Sequence, residues 1–237
     1  MKSFHAAMDG EWLYCNLHFP PTRLVHGTGV VLCAPLGHEY YRSYRALAKL
    51  AEHLSSRGHI VARFDYRGIG DSAGNAGGYS LSDRIDDASL AVTTLCDSTP
   101  LERVLVIGMR FGALVADGVA ARLPIARAVH WEPLRDGRQW LSELGDLNDR
   151  VLADLDRFAR EREASDCSNS ELVGYIYGSR LLEEVRELRA GHDAPMLETG
   201  KDYGWNDARR VGEIIVDPAV NRRMDTLLEE LAARTRK

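Results

Sequence analysis

The sequence lacks any apolar run long enough to cross a bilayer, which takes about 20 residues in a helix. Its first residues, from Met1 to Asp9, also lack the apolar core of a secretory signal peptide. A membrane-spanning protein and a secreted precursor are therefore not expected. The sequence favours a cytoplasmic protein.

Cysteine is scarce, and its spacing matches no metal or redox motif. The four cysteines, Cys15, Cys33, Cys96 and Cys167, lie far apart, with no Cys-x-x-Cys pair. This spacing suggests neither a zinc site nor a disulfide framework, so we expect reduced, mostly buried thiols and no metal site. The short Gly68-x-Gly70 spacing does not match a dinucleotide-binding loop, and no cofactor is expected.

An excess of positive charge is also missing. The chain has 30 Lys and Arg residues against 35 Asp and Glu residues, for a formal net charge of -5 at pH 7. This balance gives no long-range attraction to nucleic acid or to an anionic membrane. The basic pairs at 209–210 and 222–223 are typical of solvated faces. We therefore expect no nucleic-acid partner.

The sequence does contain a regular alternation of strand-like and helix-like segments. With 237 residues, 45% of them hydrophobic, the chain suits one α/β domain with a sizeable core. The alternation predicts a mostly parallel sheet with helices on both faces. Asp9-Gly10 predicts an antiparallel hairpin at its start. The next predicted elements are strands at 30–34, 59–65, 103–108 and 126–131, and helices at 41–57, after Ser80, and at 111–123.

The pattern changes near residue 135, where strongly charged amphipathic helices replace the alternation. An insertion of this size after a strand would form a cap over the carboxyl edge of the sheet. A plain interaction surface is the alternative. Strands at 195–198 and 212–216 and a helix from 218 to about 234 are predicted to follow. We therefore expect a single domain, 1–237, with a helical cap insertion at about 135–190.

The candidate site centres on the stretch from Val104 to Ala113. An apolar run ends in Gly108-Met109-Arg110-Phe111-Gly112 and opens into a helix, which is the pattern of a nucleophile elbow. The glycines permit a strained strand-to-helix turn that projects the central residue toward the reacting group. That residue is Arg110, and a guanidinium stays protonated in proteins. It therefore cannot be a nucleophile.

Four motifs in this order resemble the α/β-hydrolase superfamily: Pro35-x-Gly37-x-Glu39, the run 64–72, the elbow and the run 131–137. More narrowly, the chain resembles hydrolase-like proteins associated with exosortase A systems, which are close to serine aminopeptidases and acyl-transfer hydrolases. In that group an Arg often replaces the elbow Ser, and the tail around Trp205 looks like the group's ending. The resemblance implies an α/β-hydrolase fold and says less about activity, because function lies in the site.

A serine hydrolase also needs a histidine after the last strand and an acid that orients it. The last histidine of the chain, His192, precedes both predicted terminal strands. Glu132 or Asp202 could supply an acid, but an acid without base and nucleophile orients nothing. The sequence therefore argues against ordinary triad chemistry.

Two compatible interpretations of Arg110 follow. At the elbow it would sit at a helix N-terminus, where backbone amides and the helix dipole favour anions. A fixed cation there suits a carboxylate, a phosphate or an acyl-phosphopantetheine head group. Alternatively, Glu39 on the loop after the preceding strand forms a buried ion pair with Arg110 that holds the loop, since an unpaired buried charge is expensive. Both hold if Glu39 leaves one guanidinium edge free.

Three residues near Arg110 are catalytic candidates. His38 lies where an oxyanion loop is expected and could be an acid or base, although a lone loop histidine is more often at the surface. Cys33 ends a strand beside that loop and could be reactive, although a cysteine inside an apolar strand is usually an unreactive core residue. Glu39 is the third candidate. The predicted ligand-binding residues are Gly37, His38, Glu39, Met109, Arg110, Trp131 and Glu132.

Three function hypotheses remain. The leading one is a hydrolase-like protein without the Ser-His machinery that binds an anionic or acyl-type small molecule or serves a biosynthetic pathway as an accessory protein. The second is an enzyme of ester, thioester or amide substrates that uses a non-standard residue. The third is a structural partner in a biosynthetic complex, with the charged cap as its interface; a homodimer is also compatible. A histidine within hydrogen-bond reach of a nucleophile would favour the second alone.

Overall fold

A seven-stranded sheet forms the centre of the structure, a computed structural model that describes residues 1–21, 27–154, 171–188, 194–197, 199, 201–215 and 217–235. The strands are β1 (Lys2–Met8), β2 (Glu11–His18), β3 (Thr28–Cys33), β4 (Ile60–Phe64), β5 (Arg103–Met109), β6 (Ala126–Trp131), β7 (Glu171–Leu172), β8 (Tyr175–Ile176) and β9 (Met196–Leu197). The sheet order is β1-β2-β4-β3-β5-β6-β9, and β7 and β8 form a separate hairpin.

The sheet is mostly parallel, as predicted. Strands β1 and β2 form the expected antiparallel hairpin, and β2 runs antiparallel to β4. From β4 onward, every neighbouring pair in the sheet is parallel. Strand β3 is buried along its whole length, and β5 is buried after its first residue, which explains why both are continuous apolar runs.

Helices cover both faces of this sheet. They are α1 (Gly37–Ser56), α2 (Leu81–Ser98), α3 (Phe111–Arg122), α4 (Gly137–Leu152), α5 (Ser179–Arg186) and α6 (Ala219–Thr235). Helix α1 packs beside α6, and α2 packs beside α3. The capping box predicted at Ser80 is present, with reciprocal bonds between Ser80 and Asp83. No helix in the described ranges is long and apolar enough to cross a membrane.

Helix α1 begins at Gly37, four residues before the predicted start at Tyr41. The Tyr40 amide donates to the Leu36 carbonyl and closes the first turn, although Leu36 offers no capping side chain. His38 and Glu39 therefore lie in the first helical turn and not on a loop. Both side chains face the interior of the protein.

The strand predicted at 212–216 is wrong over the part that the structure describes, 212–215. The amide of Ile215 donates to the Arg42 carbonyl on α1 at 2.8 Å, so this segment runs against α1 and adds no strand to the sheet. The apolar side chain of Ile215 is buried in that position. This β-branched residue is therefore buried beside a helix and not within the sheet.

The segment after β6 contains α4, the β7–β8 hairpin and α5. The helices were predicted, but the hairpin was not. Tyr177, directly after β8, packs its ring edge-on against Trp140 of α4, with centroids 6.1 Å apart. Residues 155–170 and 189–193, which include Cys167 and His192, lie outside the described part of the chain.

Candidate functional site

The turn between β5 and α3 has the geometry of an elbow. Arg110 has φ 53° and ψ -118°, a backbone conformation that is rare for any residue except glycine. Its amide donates to the Trp131 carbonyl at 3.0 Å, which fixes the turn to β6. Gly112 is required because an ideal Cβ there would lie 2.2 Å from the Cys33 carbonyl oxygen. The elbow predicted from the sequence is thus formed, with Arg110 at its tip.

Glu39 and Arg110 form the predicted ion pair. Arg110 Nε and Nη2 donate to Glu39 Oε1 at 3.1 and 2.9 Å. The Glu39 side chain is 1% exposed and that of Arg110 is 12% exposed, so water screens this pair little. The bonds occupy one edge of the guanidinium. Arg110 Nη1 has no hydrogen-bond partner among the described residues.

Trp205 covers the pair; it belongs to residues 201–215, which we call the C-terminal segment. Its ring lies against the Arg110 guanidinium at 5.2 Å and against that of Arg42 at 5.0 Å. Arg42 is fully buried and donates to the carbonyl oxygens of Gly204 and Glu213 at 2.9 and 3.2 Å. Arg42 therefore clamps the C-terminal segment over the site. Sequence reasoning missed this role, because an arginine in an amphipathic helix is expected on the solvated face.

His38 is buried, which corrects the expectation of a surface histidine. Its Nε2 lies 3.2 Å from the Trp205 carbonyl, so this nitrogen is the donor, and Nδ1 has no partner among the described residues. Burial lowers the pKa of His38, while the nearby Glu39 carboxylate raises it. The ring is thus held as a neutral imidazole that bonds to the backbone of the covering segment.

Replacing His38 by Gln is expected to make stability less sensitive to acid. Because burial lowers the pKa of His38 in the folded protein, the unfolded chain binds a proton below about pH 6.5 that the folded chain does not. The His38 contribution is complete above that pH and is lost as the pH falls, by up to about 1.4 kcal/mol per pH unit. Gln keeps a donor for the Trp205 carbonyl and does not titrate.

Urea unfolding of wild type and His38→Gln at pH 7.5 and 5.0 measures this effect. Wild type should lose more stability between the two pH values. Burial also lowers the pKa of His18, but His18 is present in both proteins and cancels in the difference. Equal acid losses would contradict a buried neutral His38.

Cys33 lies at the end of β3 in the core. Burial raises the pKa of its thiol to about 12. A thiol held in its neutral form is a poor nucleophile. Cys33 is therefore placed as an inert core residue, and its carbonyl packs against Gly112 of the elbow.

Of the other predicted ligand residues, Met109 and Trp131 lie in the core, whereas Gly37 and Glu132 have positive φ. Met109 and Trp131 are fully buried at the ends of β5 and β6, and neither lines the cleft at Arg110. Glu132 has φ 48° and accepts a hydrogen bond from Thr199 Oγ1 at 3.2 Å. Gly37 has φ 58°, and an ideal Cβ there would lie 1.9 Å from the Tyr177 hydroxyl. The structure thus gathers His38, Glu39 and Arg110 and leaves Met109 and Trp131 in the core.

A wide cleft of about 690 Å³ opens at Arg110. Most of the residues that line it are polar or charged, and they come mainly from α4 and from the C-terminal segment. Within the described ranges, no group of three His, Cys, Asp or Glu side chains could hold a metal ion. The main side chains that line the cleft are those of Arg110, Glu143, Arg150, Asp202, Trp205, Asn206, Asp207 and Arg209.

Three buried polar atoms of residues around the ion pair have no partner among the described residues. They are His38 Nδ1, Glu39 Oε2 and Trp205 Nε1. Buried polar groups are nearly always bonded to protein or to ordered water.

Comparison with known proteins supports the fold and identifies the family. A family model described as serine aminopeptidase, S33, matches residues 27–155, just over half of the chain. Among solved structures, the chain is similar to Est1E from Butyrivibrio proteoclasticus, solved with ferulic acid bound, with a TM-score of 0.60 and 15% identity over 99% of this chain and 100% of that one. The predicted α/β-hydrolase fold is thereby confirmed.

Two further structures match parts of the chain. An α/β serine hydrolase without a lid from Xanthomonas campestris has a TM-score of 0.48 and 23% identity over 56% of this chain and 61% of that one. A putative hydrolase from Agrobacterium vitis has a TM-score of 0.47 and 22% identity over 78% and 70%. The chain thus spans less than two thirds of the Xanthomonas protein. No curated protein matches the sequence.

Proposed function

The chain belongs to the serine aminopeptidase S33 family, and we propose that it uses the elbow of that family to bind an anionic or acyl-type small molecule instead of attacking a carbonyl. One observation carries this function: the guanidinium at the tip of the elbow is fixed by Glu39 and Trp205 and keeps a donor edge free. A preorganised donor costs little entropy when a ligand binds.

The attraction for an anion at Arg110 is local. Glu39 neutralises the guanidinium as a whole, so long-range attraction is weak, and binding depends on hydrogen bonds from the free edge. Helix α3 begins at the next residue, Phe111, and the positive end of its dipole adds to the effect. A phosphate or carboxylate group that enters the cleft would meet both.

The hydrolase alternative has less support. Of its three candidate residues, Cys33 is a buried neutral thiol, His38 donates to the Trp205 carbonyl, and Glu39 is paired with Arg110. None of the three lines the cleft. Catalysis would need one of them to be released from its present partner.

We extend the proposal to the cap, the cellular compartment and the pathway. The segment at about 135–190 acts as a cap, as supported by the packing of Trp140 on Phe111 next to the elbow, with centroids 6.5 Å apart. The protein acts in the cytoplasm, where unpaired thiols such as Cys15 stay reduced. The narrower resemblance to exosortase A-associated proteins suggests an accessory role in a biosynthetic pathway.

Calorimetric titration with inorganic phosphate and pantetheine 4′-phosphate tests anion binding. The comparison is between wild type and Arg110→Gln/Glu39→Gln, which replaces both charges of the ion pair by neutral amides. We expect the variant to bind roughly tenfold more weakly or worse, since a hydrogen bond to a charged group contributes about 1.5–3 kcal/mol. Uncharged pantetheine should bind both proteins equally.

Arg209→Gln is the matched control, because Arg209 lines the same cleft but is exposed and paired with Asp207. It should change affinity by less than about threefold, as expected for a surface charge. Equal losses in both variants, or no binding to wild type, would mean that Arg110 is only one half of a structural ion pair. Wild-type turnover of p-nitrophenyl esters that disappears in Cys33→Ala or His38→Gln would instead favour the enzyme hypothesis.

A further inference from the structure

A second cavity, of about 350 Å³, lies beneath the β7–β8 hairpin. This volume falls within the range of small-molecule sites, which is about 300–1,000 Å³. The cavity shares no lining residue with the cleft at Arg110. Its walls are mainly aromatic and aliphatic, and include Leu36, Tyr40, Ile69, Ile176, Tyr177 and Leu181.

Arg84 is the charged residue in the wall of this cavity. It is 3% exposed, and its Nη1 donates to the Arg67 carbonyl. Its Nε has no hydrogen-bond partner among the described residues. The guanidinium lies over the rings of Tyr66 and Tyr79, at 5.4 and 5.3 Å. These contacts hold the side chain in place but supply no negative charge.

Asp87, three residues after Arg84 in the same helix, is bonded to another arginine. Asp87 accepts from Arg67 Nε at 2.6 Å and from the Arg67 amide at 3.0 Å. Within the described ranges, Arg84 forms no ion pair with a carboxylate. A buried charge without a partner costs several kcal/mol, so buried cations are normally paired. The Asp87 carboxylate acts on Arg84 only from a distance, because it is bonded to Arg67, so Arg84 has no carboxylate of its own within ion-pair distance among the described residues. The cavity is where one could enter.

Tyr177 adds a second unmet donor to the same cavity. Its hydroxyl is buried and has no partner among the described residues. Burial raises the pKa of Tyr177 well above its usual range, so the phenol keeps its proton and can donate. Two buried donors in an otherwise apolar wall suit a ligand whose only polar group is an acceptor.

We infer that this cavity binds a small carboxylate with an apolar aryl or medium-chain acyl body. The carboxylate would pair with Arg84, and the apolar body would contact the aromatic and aliphatic walls. A phosphate fits less well, because its higher charge would meet a single guanidinium among apolar side chains. Tyr41 and Ile176 line the cavity and are each about half exposed, which places its mouth at the edge of the hairpin. This site is independent of anion binding at Arg110.

Calorimetry with octanoate and 3-phenylpropionate, each compared with its primary amide, tests this inference. The amides have nearly the same shape but no charge. We expect each carboxylate to bind wild type at least about tenfold more tightly than its amide, because only the carboxylate pairs with Arg84. In Arg84→Met that preference should fall below about threefold.

Ala76→Trp is the variant that blocks the cavity without touching the core, since Ala76 is an exposed loop residue in its wall. It should abolish binding of all four compounds while circular dichroism stays unchanged. If Arg84→Met does not fold, the inference is still tested by Ala76→Trp and by the ratio of carboxylate affinity to amide affinity in wild type.

Three outcomes would overturn the inference: no binding to wild type, equal affinity for carboxylate and amide, or binding that survives Ala76→Trp. Loss of binding in Arg110→Gln/Glu39→Gln would do the same, because it would locate the carboxylate in the other cleft. Failure of phosphate to bind at Arg110 leaves the carboxylate result unaffected, so the two functions can fail separately.

Discussion

Arg110→Ser is expected to produce a less stable protein that gains no hydrolase activity. The substitution restores the Gly-x-Ser-x-Gly pattern of the elbow, but no base among the described residues is in position for the new hydroxyl. His38, the histidine beside the pair of Glu39 and Arg110, uses its Nε2 for the Trp205 carbonyl. We expect no labelling by a fluorophosphonate probe and no turnover of short p-nitrophenyl esters.

The stability loss follows from the ion pair. The Glu39 side chain is 1% exposed, and removing Arg110 takes away the cation paired with it. Breaking a buried pair from one side costs about 3–5 kcal/mol, far more than the pair itself contributes. Because Arg110 is partly exposed, water can enter after the change, and we expect a loss near the lower end, about 3 kcal/mol. Urea unfolding at pH 7.5 measures it.

Glu39→Gln provides the matched control for this prediction. In the Arg110→Ser background it removes the stranded charge, so the double variant should be more stable than Arg110→Ser alone. A double-mutant cycle then gives a coupling energy of about 1–3 kcal/mol for the pair. Additive effects would show that Glu39 and Arg110 do not depend on each other. Strong probe labelling of Arg110→Ser would show that a base is present after all.

Much of the sheet could be predicted because its signals are local. The antiparallel start follows from Asp9-Gly10 between alternating stretches, and both residues have positive φ, 48° and 84°. Strand β6 is found at the predicted residues 126–131, where a short segment with apolar residues at 126, 128, 129 and 131 lies between turn residues. The elbow was recognisable because only glycine fits beside such close backbone contacts.

The candidate site was predictable only in part. The pairing of Glu39 with Arg110 follows from the cost of an unpaired buried charge, whatever the detailed fold. The burial of His38 does not, because it depends on Trp205, 167 residues further along the chain. Arg42 contacts Gly204 across 162 residues in the same way. Neither contact leaves a trace in local periodicity.

The wrong strand at 212–216 has the same origin. Its β-branched residues suit a strand or any other buried extended segment, and periodicity cannot distinguish the two. The choice is made by Arg42, whose carbonyl accepts from the Ile215 amide and whose Nε donates to the Glu213 carbonyl. A buried arginine thus takes up the backbone groups that a neighbouring strand would otherwise have satisfied.

Gly112→Ala is expected to destabilise the fold by about 3 kcal/mol or more, or to prevent folding. The new Cβ would lie 2.2 Å from the Cys33 carbonyl oxygen and 2.8 Å from that of Ala34. Both atoms belong to the backbone at the end of β3, so no side chain can rotate away. Either α3 or the β3 end must move. Urea unfolding, or the soluble yield if the variant does not fold, measures the effect.

Gly145→Ala is the matched control, because Gly145 lies within α4 and nothing is within 4 Å of an ideal Cβ there. Ala favours the helix over Gly, so this variant should gain about 0.5–1 kcal/mol. A Gly112→Ala protein as stable as wild type would mean that α3 and β3 are not in such close contact.

The movement of α3 or of the β3 end in Gly112→Ala would also affect the ion pair. Glu39 follows β3 in the chain and Arg110 precedes α3, so separating these elements moves the two charges apart. Gly112→Ala and Arg110→Ser should therefore be non-additive, with the second change costing less once the first is present. Full additivity would show that the glycine contact and the ion pair are independent. Non-additivity would tie the close packing of the elbow directly to the placement of Arg110.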